Sequence, residues 1–249
     1  MKAMVLAAGL GTRLRPLTDD RPKALVEIED RTLLEITLAR LGAFGVREVI
    51  VNVHHFADMI VDYLAAKQNF GMRIGISCED VLLDTGGGLK QASWFFLEDG
   101  RERDEPFLLH NVDVLSNIDL SRMMQFHKER QALATLAVQP RKSSRYLLFD
   151  QQGQLCGRRF EREQRTELVR SADQVDLLAF CGVHVISPRL LGMMTEAGVF
   201  SIIESYLRLA ASQEKILAFR ADGAYWRDLG TVESLKQAEK DAKRGVFSL

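Results

Sequence analysis

Cysteine is scarce in this chain, and what is missing narrows its chemistry. Cys78, Cys156 and Cys181 are odd in number, widely spaced and free of any C-x-x-C. That argues against a disulfide framework and against a cysteine zinc site, so buried or neutral thiols are expected. The five histidines, at 54, 55, 110, 127 and 184, form no H-x-x-x-H pair, and a histidine metal centre is not expected. A net charge of -1 offers no global attraction for nucleic acid or membrane, so any anion site must be local. No apolar run approaches a membrane span, and the N-terminus reads as an immediate strand rather than a charged leader. A cytoplasmic location is therefore expected. Internal repeats, low-complexity tracts and Pro/Gly/Ser-rich linkers are also missing, so nothing marks a clear domain boundary within the 249 residues.

What is there alternates between strand and helix. Apolar runs at Met4 to Ala8, Glu48 to Asn52, Met72 to Ser77 and Pro106 to Val114 read as strands, the last ending in an amide and a carboxylate. Between them lie a helix opened by the capping-box spacing Thr32 to Glu35, a helix at about Ala57 to Gln68, and one from Leu89 to about Leu97. Short connections between such elements predict parallel strands with helices on both faces. Asp119 caps the next helix, where Met123 and Met124 take core spacing. Strands follow at Ala132 to Gln139, Arg145 to Phe149, Asp176 to Ser187 and Ile216 to Arg220, with helices at Ser201 to Ser212 and Val232 to about Arg244. The mixed-charge stretch from Cys156 to Asp176 reads as a solvated excursion.

The most informative segment is the opening loop, Gly9 to Leu25. Gly9 and Gly11 lack Cβ atoms, so the backbone can turn sharply and aim its N–H groups at phosphate oxygens. Arg13, Arg15 and Lys23 add positive charge, the arginines as forked donors and the lysine as a movable point charge. Leu14 stands where a dinucleotide fingerprint needs a third glycine, and no G-K-[ST] follows, so this is neither that motif nor a P-loop.

The full string from Leu6 through Arg13, Arg15-Pro16-Leu17-Thr18 and Pro22-Lys23-Ala24-Leu25 resembles the L-A-A-G-x-G-T-R-x-x-P-L-T…P-K-x-L signature of the sugar-1-phosphate nucleotidyltransferases, the nucleoside-diphosphate-sugar pyrophosphorylases. The resemblance implies a three-layer αβα sandwich around a Rossmann-like, mostly parallel mixed sheet. It implies one domain over 1–249, its nucleotide-binding part at about 1–115 and its sugar-binding part at about 116–249. Leu6, Ala7, Ala8, Gly9, Gly11, Thr12, Arg13 and Lys23 would then hold the nucleotide, with Thr85, Gly86 and Gly87 bordering base and ribose and Asn111 nearby.

Asp113 closes a strand, where ligands of open α/β sheets bind, and Asp228 lies in Trp226-Arg227-Asp228-Leu229-Gly230-Thr231, which resembles the family's W-x-D-[VLI]-G-T. The resemblance implies that these two carboxylates share Mg2+, and that Arg13 and Lys23 complete the catalytic set. Two departures stand out. Val112 replaces the glycine of L-x-x-N-G-D, and no E-K-P motif supplies a lysine for the sugar phosphate. Arg158, Arg159 and Arg162 are candidates for that role, and Gly182 is a candidate sugar contact.

The expected reaction joins a nucleoside triphosphate and a sugar 1-phosphate. The Leu83-Asp84-Thr85-Gly86-Gly87-Gly88 segment is most similar to the L-E-T-G-G-G of uridylyltransferases acting on N-acetylmuramate α-1-phosphate. Guanylyltransferases acting on mannose- or heptose-1-phosphate are the alternative. From other classes, Asn111-Val112-Asp113 resembles the D-x-D of glycosyltransferases that consume sugar nucleotides, and a non-catalytic sugar-nucleotide sensor would share much of the site. Nucleic acid and membrane are not expected partners. The sequence leaves the oligomeric state open.

Overall fold

A computed structural model describes residues 1–98 and 105–247. Its strands are β1 (Lys2–Leu6), β2 (Glu27–Ile28), β3 (Arg31–Thr32), β4 (Glu48–Val53), β5 (Arg73–Cys78), β6 (Phe107–Asn111), β7 (Val114–Ser116), β8 (Ala134–Gln139), β9 (Arg145–Phe149), β10 (Leu155–Phe160), β11 (Arg165–Leu168), β12 (Asp176–Ile186), β13 (Ile216–Arg220) and β14 (Trp226–Asp228). The α-helices are α1 (Leu33–Ala43), α2 (Ala57–Ala66), α3 (Asp84–Gln91), α4 (Trp94–Leu97), α5 (Leu120–Arg130), α6 (Arg189–Met193), α7 (Ile202–Ala211) and α8 (Val232–Lys243).

One sheet runs β5-β4-β1-β6-β12, then β8 and β13, with β9, β10 and β11 built onto the start of β12. Neighbours among β5, β4, β1 and β6 pair in parallel, as do β8 and β13, whereas β12 runs antiparallel to β6, β8 and β9. This is the mostly parallel mixed sheet expected. Alternation of side chains along each strand feeds two separate cores. Ala3, Val5, Val49, Val51 and Leu108 face one core with α1, α2, α5 and α8; Met4, Ile50, Phe107 and Leu109 face the other with α3, α4, α6 and α7. The result is three layers.

Local chemistry sets the helix ends. Thr32 accepts the Glu35 N–H at 3.0 Å to open α1, Asp119 accepts that of Arg122 at 2.9 Å to open α5, and Thr231 and Ser234 form a capping box on α8. Among the described residues no helix is long and apolar enough to cross a membrane.

Three expectations are corrected. The first strand ends at Leu6, and Ala7 already turns, its N–H held by Asn52 Oδ1 at 2.9 Å. The predicted helix at 89–97 is two helices, with the three glycines inside the first. The charged stretch 156–176 contains two sheet strands, because opposite charges face each other across the ladder. Arg158 lies in register with Glu167 and binds it at 2.6 Å, and Arg158 and Arg165 both cover the Phe160 ring. Polar residues on both faces hide the period of two.

Candidate active site

The opening loop leaves β1 at the carboxyl end of the parallel strands. Gly11 has φ +64°, and a Cβ there would stand 2.9 Å from Thr18 Cγ2 and 3.1 Å from Lys23 Cβ. Thr18 closes the turn by donating its hydroxyl to the Gly11 carbonyl at 2.9 Å. The loop is therefore a compact cradle. Within the described residues the N–H groups of Gly9 and Leu10 make no hydrogen bond, which leaves both free for an external acceptor. Arg15 instead pairs with Asp19 at 3.3 Å, with both side chains open to solvent.

Lys23 is buried, and its ammonium meets the carboxylate of Asp113. Asp113 sits between β6 and β7, where the chain passes the end of the sheet. β7 pairs with β14, placing Asp228 directly opposite Val114, and the Leu229 N–H donates to the Asp113 carbonyl at 2.8 Å. The two acidic residues thus lie on adjacent backbone segments. Asp228 Oδ1 accepts the Gly230 N–H at 2.7 Å, and Arg13 reaches the same place, its Nη2 lying 2.5 Å from where a Cβ on Gly230 would be. β14 is braced from behind, because Asp241 on α8 accepts from Tyr225 Oη at 2.9 Å and from Arg227 at 2.8 Å.

A cavity of about 350 Å³ opens between the loop and α3, lined by Leu6, Ala7, Ala8, Gly9, Lys23, Asn52, Glu79, Leu82, Asp84, Thr85, Asn111, Val112, Asp113 and Val199. Of the residues expected to hold a nucleotide, it brings together Leu6, Ala7, Ala8, Gly9, Lys23, Thr85 and Asn111. Gly86 and Gly87 are buried and do not line it. A Cβ on Gly87 would fall 2.6 Å from the Gly198 carbonyl, and the Gly86 N–H donates to Phe200 at 3.0 Å, so these glycines admit the segment before α7. Val112 lines the cavity at its edge while packing into the first core.

Asn52 and Glu79 were not found by sequence reasoning. Asn52 donates to Glu79 Oε1, and Glu79 Oε2 accepts the Leu83 N–H at 2.9 Å. Burial holds the Glu79 carboxyl above its usual range, opposed by these donors. The pair fixes the distance between the loop and α3. Neither residue belongs to a contiguous motif, so no local signal marked them. Asn111 lines the cavity, and its buried Oδ1 has no hydrogen-bond partner.

On the far side, Gly182 interrupts β12 with φ +72°, and a Cβ there would lie 2.8 Å from Val114 Cγ2 and 3.0 Å from Asn111 Nδ2. Arg158 is committed to Glu167 and Glu204, and Arg159 to Glu161 at 3.0 Å and Gln164 at 2.6 Å. The structure does not bring either of them to the cavity.

A family model described as Nucleotidyl transferase matches residues 2–154. The chain is 34% identical over 246 residues to an N-acetylmuramate alpha-1-phosphate uridylyltransferase of Caulobacter vibrioides, covering 95% of each. It is 30% identical over 233 residues to a mannose-1-phosphate guanyltransferase of Yarrowia lipolytica, covering 92% of this chain and 61% of that one. Its fold superposes on a UDP-glucose pyrophosphorylase crystallised with UDP-glucose at a TM-score of 0.76 and 18% identity, covering 98% of both chains. The matched region holds the glycine loop, Lys23 and Asp113, and the chain belongs to the nucleotidyl transferase family.

Proposed function

We propose that the protein transfers a nucleoside monophosphate from a nucleoside triphosphate to a sugar 1-phosphate, releasing pyrophosphate, with UTP and N-acetylmuramate α-1-phosphate as the substrates. The observation that carries the reading is Lys23 paired with Asp113 at the floor of a cavity whose rim is the glycine loop, with Asp228 on the adjoining strand. The near full-length identity to the Caulobacter uridylyltransferase supports the choice of base and sugar. The likeness to the mannose-1-phosphate guanyltransferase supports the alternative, GTP with a mannose or heptose 1-phosphate.

A phosphate oxygen of the sugar 1-phosphate attacks the α-phosphorus, and the bond to the bridging oxygen of the β-phosphate breaks. A phosphate monoester has a second pKa of about 6, so this nucleophile is ionised at neutral pH and needs no general base. The difficulty is charge, and the protein answers with donors set in advance. Lys23, Arg13 and the loop N–H groups would hold the triphosphate and the departing pyrophosphate. Residues 1–115 would serve the nucleotide, and 116–249 the sugar together with Asp228.

Asp113 and Asp228 offer hard oxygen donors on paired segments, which fits Mg2+ held by one or two carboxylates and substrate phosphates. Among the described residues no group of three or more His, Cys, Asp or Glu gathers, so phosphates and water would complete the shell. Bound there, Mg2+ would orient the phosphates and neutralise charge as it develops. Since nucleoside triphosphates are cytoplasmic, the protein would work there.

The test is pyrophosphate release with UTP or GTP, Mg2+ and a panel of sugar 1-phosphates. Release with UTP and the N-acetylmuramate ester is expected. No release with any pair would favour a glycosyltransferase or a sugar-nucleotide sensor on the same fold.

A further inference from the structure

Near Asp228 lies a cation that, among the described residues, no carboxylate pairs with directly. Arg141 follows β8, and among the described residues it forms no ion pair. Its Nη2 donates to the Phe180 carbonyl at 2.7 Å, its Nε is buried without a partner, and its guanidinium carbon stands 3.5 Å from the centre of the Trp226 ring. The neighbouring Cys181 supplies no counter-charge, since burial pushes its thiol up to about 12. Leaving a half-buried charge unpaired is costly, and stacking on an indole offsets only part of that cost.

The surroundings look built to hold this group. Trp226 donates its Nε1–H to the Cys181 carbonyl at 2.8 Å, which fixes the ring on which Arg141 lies. Trp226 and Asp228 are two residues apart on β14 and so present their side chains to one face of the strand. The register of β12 against β8 breaks between Phe180 and His184, and within that break the Phe180 carbonyl takes Arg141 while Gly182 leaves the wall beside Asn111 without a side chain. A rigid planar fork of N–H donors, clamped on a ring next to the catalytic carboxylates, matches a phosphate.

We propose that Arg141 receives the phosphate of the acceptor sugar 1-phosphate, with Trp226 as its platform. This rests on the transfer reaction proposed for the site. Held there, the acceptor phosphate lies on the side of Asp228 and Trp226.

Two measurements test it. In the pyrophosphate-release assay, Arg141→Gln is expected to raise KM for the sugar 1-phosphate at least tenfold while KM for UTP stays within twofold, and Arg141→Lys to fall between wild type and Gln. An unchanged acceptor KM, or equal rises for both substrates, overturns the assignment. The second measurement needs no turnover and no change at Arg141. Trp94 and Trp226 are the two tryptophans, and Trp94 is half exposed, so Trp94→Phe leaves Trp226 as the sole reporter. Its emission should change saturably with glucose 1-phosphate, and not with glucose or UTP. No response to the ester, or the same response to UTP, overturns the proposal. A wild type that releases no pyrophosphate but shows the specific emission change would refute the reaction and keep the phosphate site.

Discussion

Arg13 and Asp228, from opposite ends of the chain, both approach Gly230. A Cβ on that glycine would lie 2.5 Å from the arginine's Nη2 and 2.6 Å from the aspartate's Oδ1. Both atoms end flexible side chains, so Gly230→Ala can be accommodated by pushing them apart rather than by unfolding. The expected outcome is a turnover lowered by about ten- to a hundredfold, as for displaced electrostatic groups, with a melting temperature within a few degrees of wild type. Steady-state kinetics beside a thermal melt check it, and wild-type turnover would mean that this convergence plays no part in the reaction.

Asp113 and Asp228 are joined through the backbone, by the 2.8 Å bond from the Leu229 N–H to the Asp113 carbonyl, which no side-chain change touches. Asp113→Asn and Asp228→Asn should therefore keep the fold. Each should lower turnover by about a hundredfold or more, in line with the loss of one preorganised charge-stabilising group. Pyrophosphate release at saturating substrates is the measurement. A variant that works at the wild-type rate removes that carboxylate from the mechanism.

Gly11→Ala addresses the loop itself. The substitution meets a positive φ and two side-chain neighbours, Thr18 and Lys23, within 3.1 Å. Strain of about 1 to 3 kcal/mol is expected. Because Lys23 is one of the displaced neighbours, KM for the triphosphate should rise along with the loss of stability. Denaturant titration and UTP saturation curves report the two effects, and a fully stable variant would contradict the cradle geometry.

The parts of this site written into contiguous residues were legible in the sequence. The loop announces itself through glycines and cations, Asp113 through its place at the end of a strand, and Asp228 through a segment that resembles the family's W-x-D-[VLI]-G-T. Asn52, Glu79 and Arg141 were not legible, because each acquires its role from a partner distant in the chain: Asn52 from Ala7 and Glu79, Arg141 from Trp226 and Phe180. At Gly87 and Gly88 the close approach that the structure shows is to the protein itself, since a Cβ on Gly87 would meet Gly198 and one on Gly88 would meet Glu79. In the ribbon of β10 and β11, cross-strand ion pairs replaced the apolar alternation by which a strand is recognised.

Stability should fall on mild acidification, because three histidines are buried in the neutral form. Desolvation lowers His110 and His127 to about 4 and His184 to about 3. His127 shows how neutrality is built in. Ser187 spends its hydroxyl hydrogen on the Ala132 carbonyl at 2.9 Å, so His127 Nε2 must donate to Ser187 while Nδ1 accepts from Thr135 at 2.9 Å. A second ring proton, on Nδ1, has no acceptor while Thr135 donates there. In the unfolded chain the same histidines titrate near 6.5, so below that pH the unfolded state binds protons that the native state refuses. Stability is therefore full above about pH 6.5 and declines toward pH 4, by up to about 1.4 kcal/mol per pH unit for each histidine. The Glu196 carboxyl, held at about 2 by its hydrogen bonds from Arg208, contributes in a lower window, lost as pH falls from about 4.5 toward 2. Urea titrations at half-unit steps from pH 7.5 to 4.5 read the histidine window above that of Glu196. A flat profile between 6.5 and 5 would show that these imidazoles can take a proton in the folded chain, and His127→Gln should reduce the slope there by about a third.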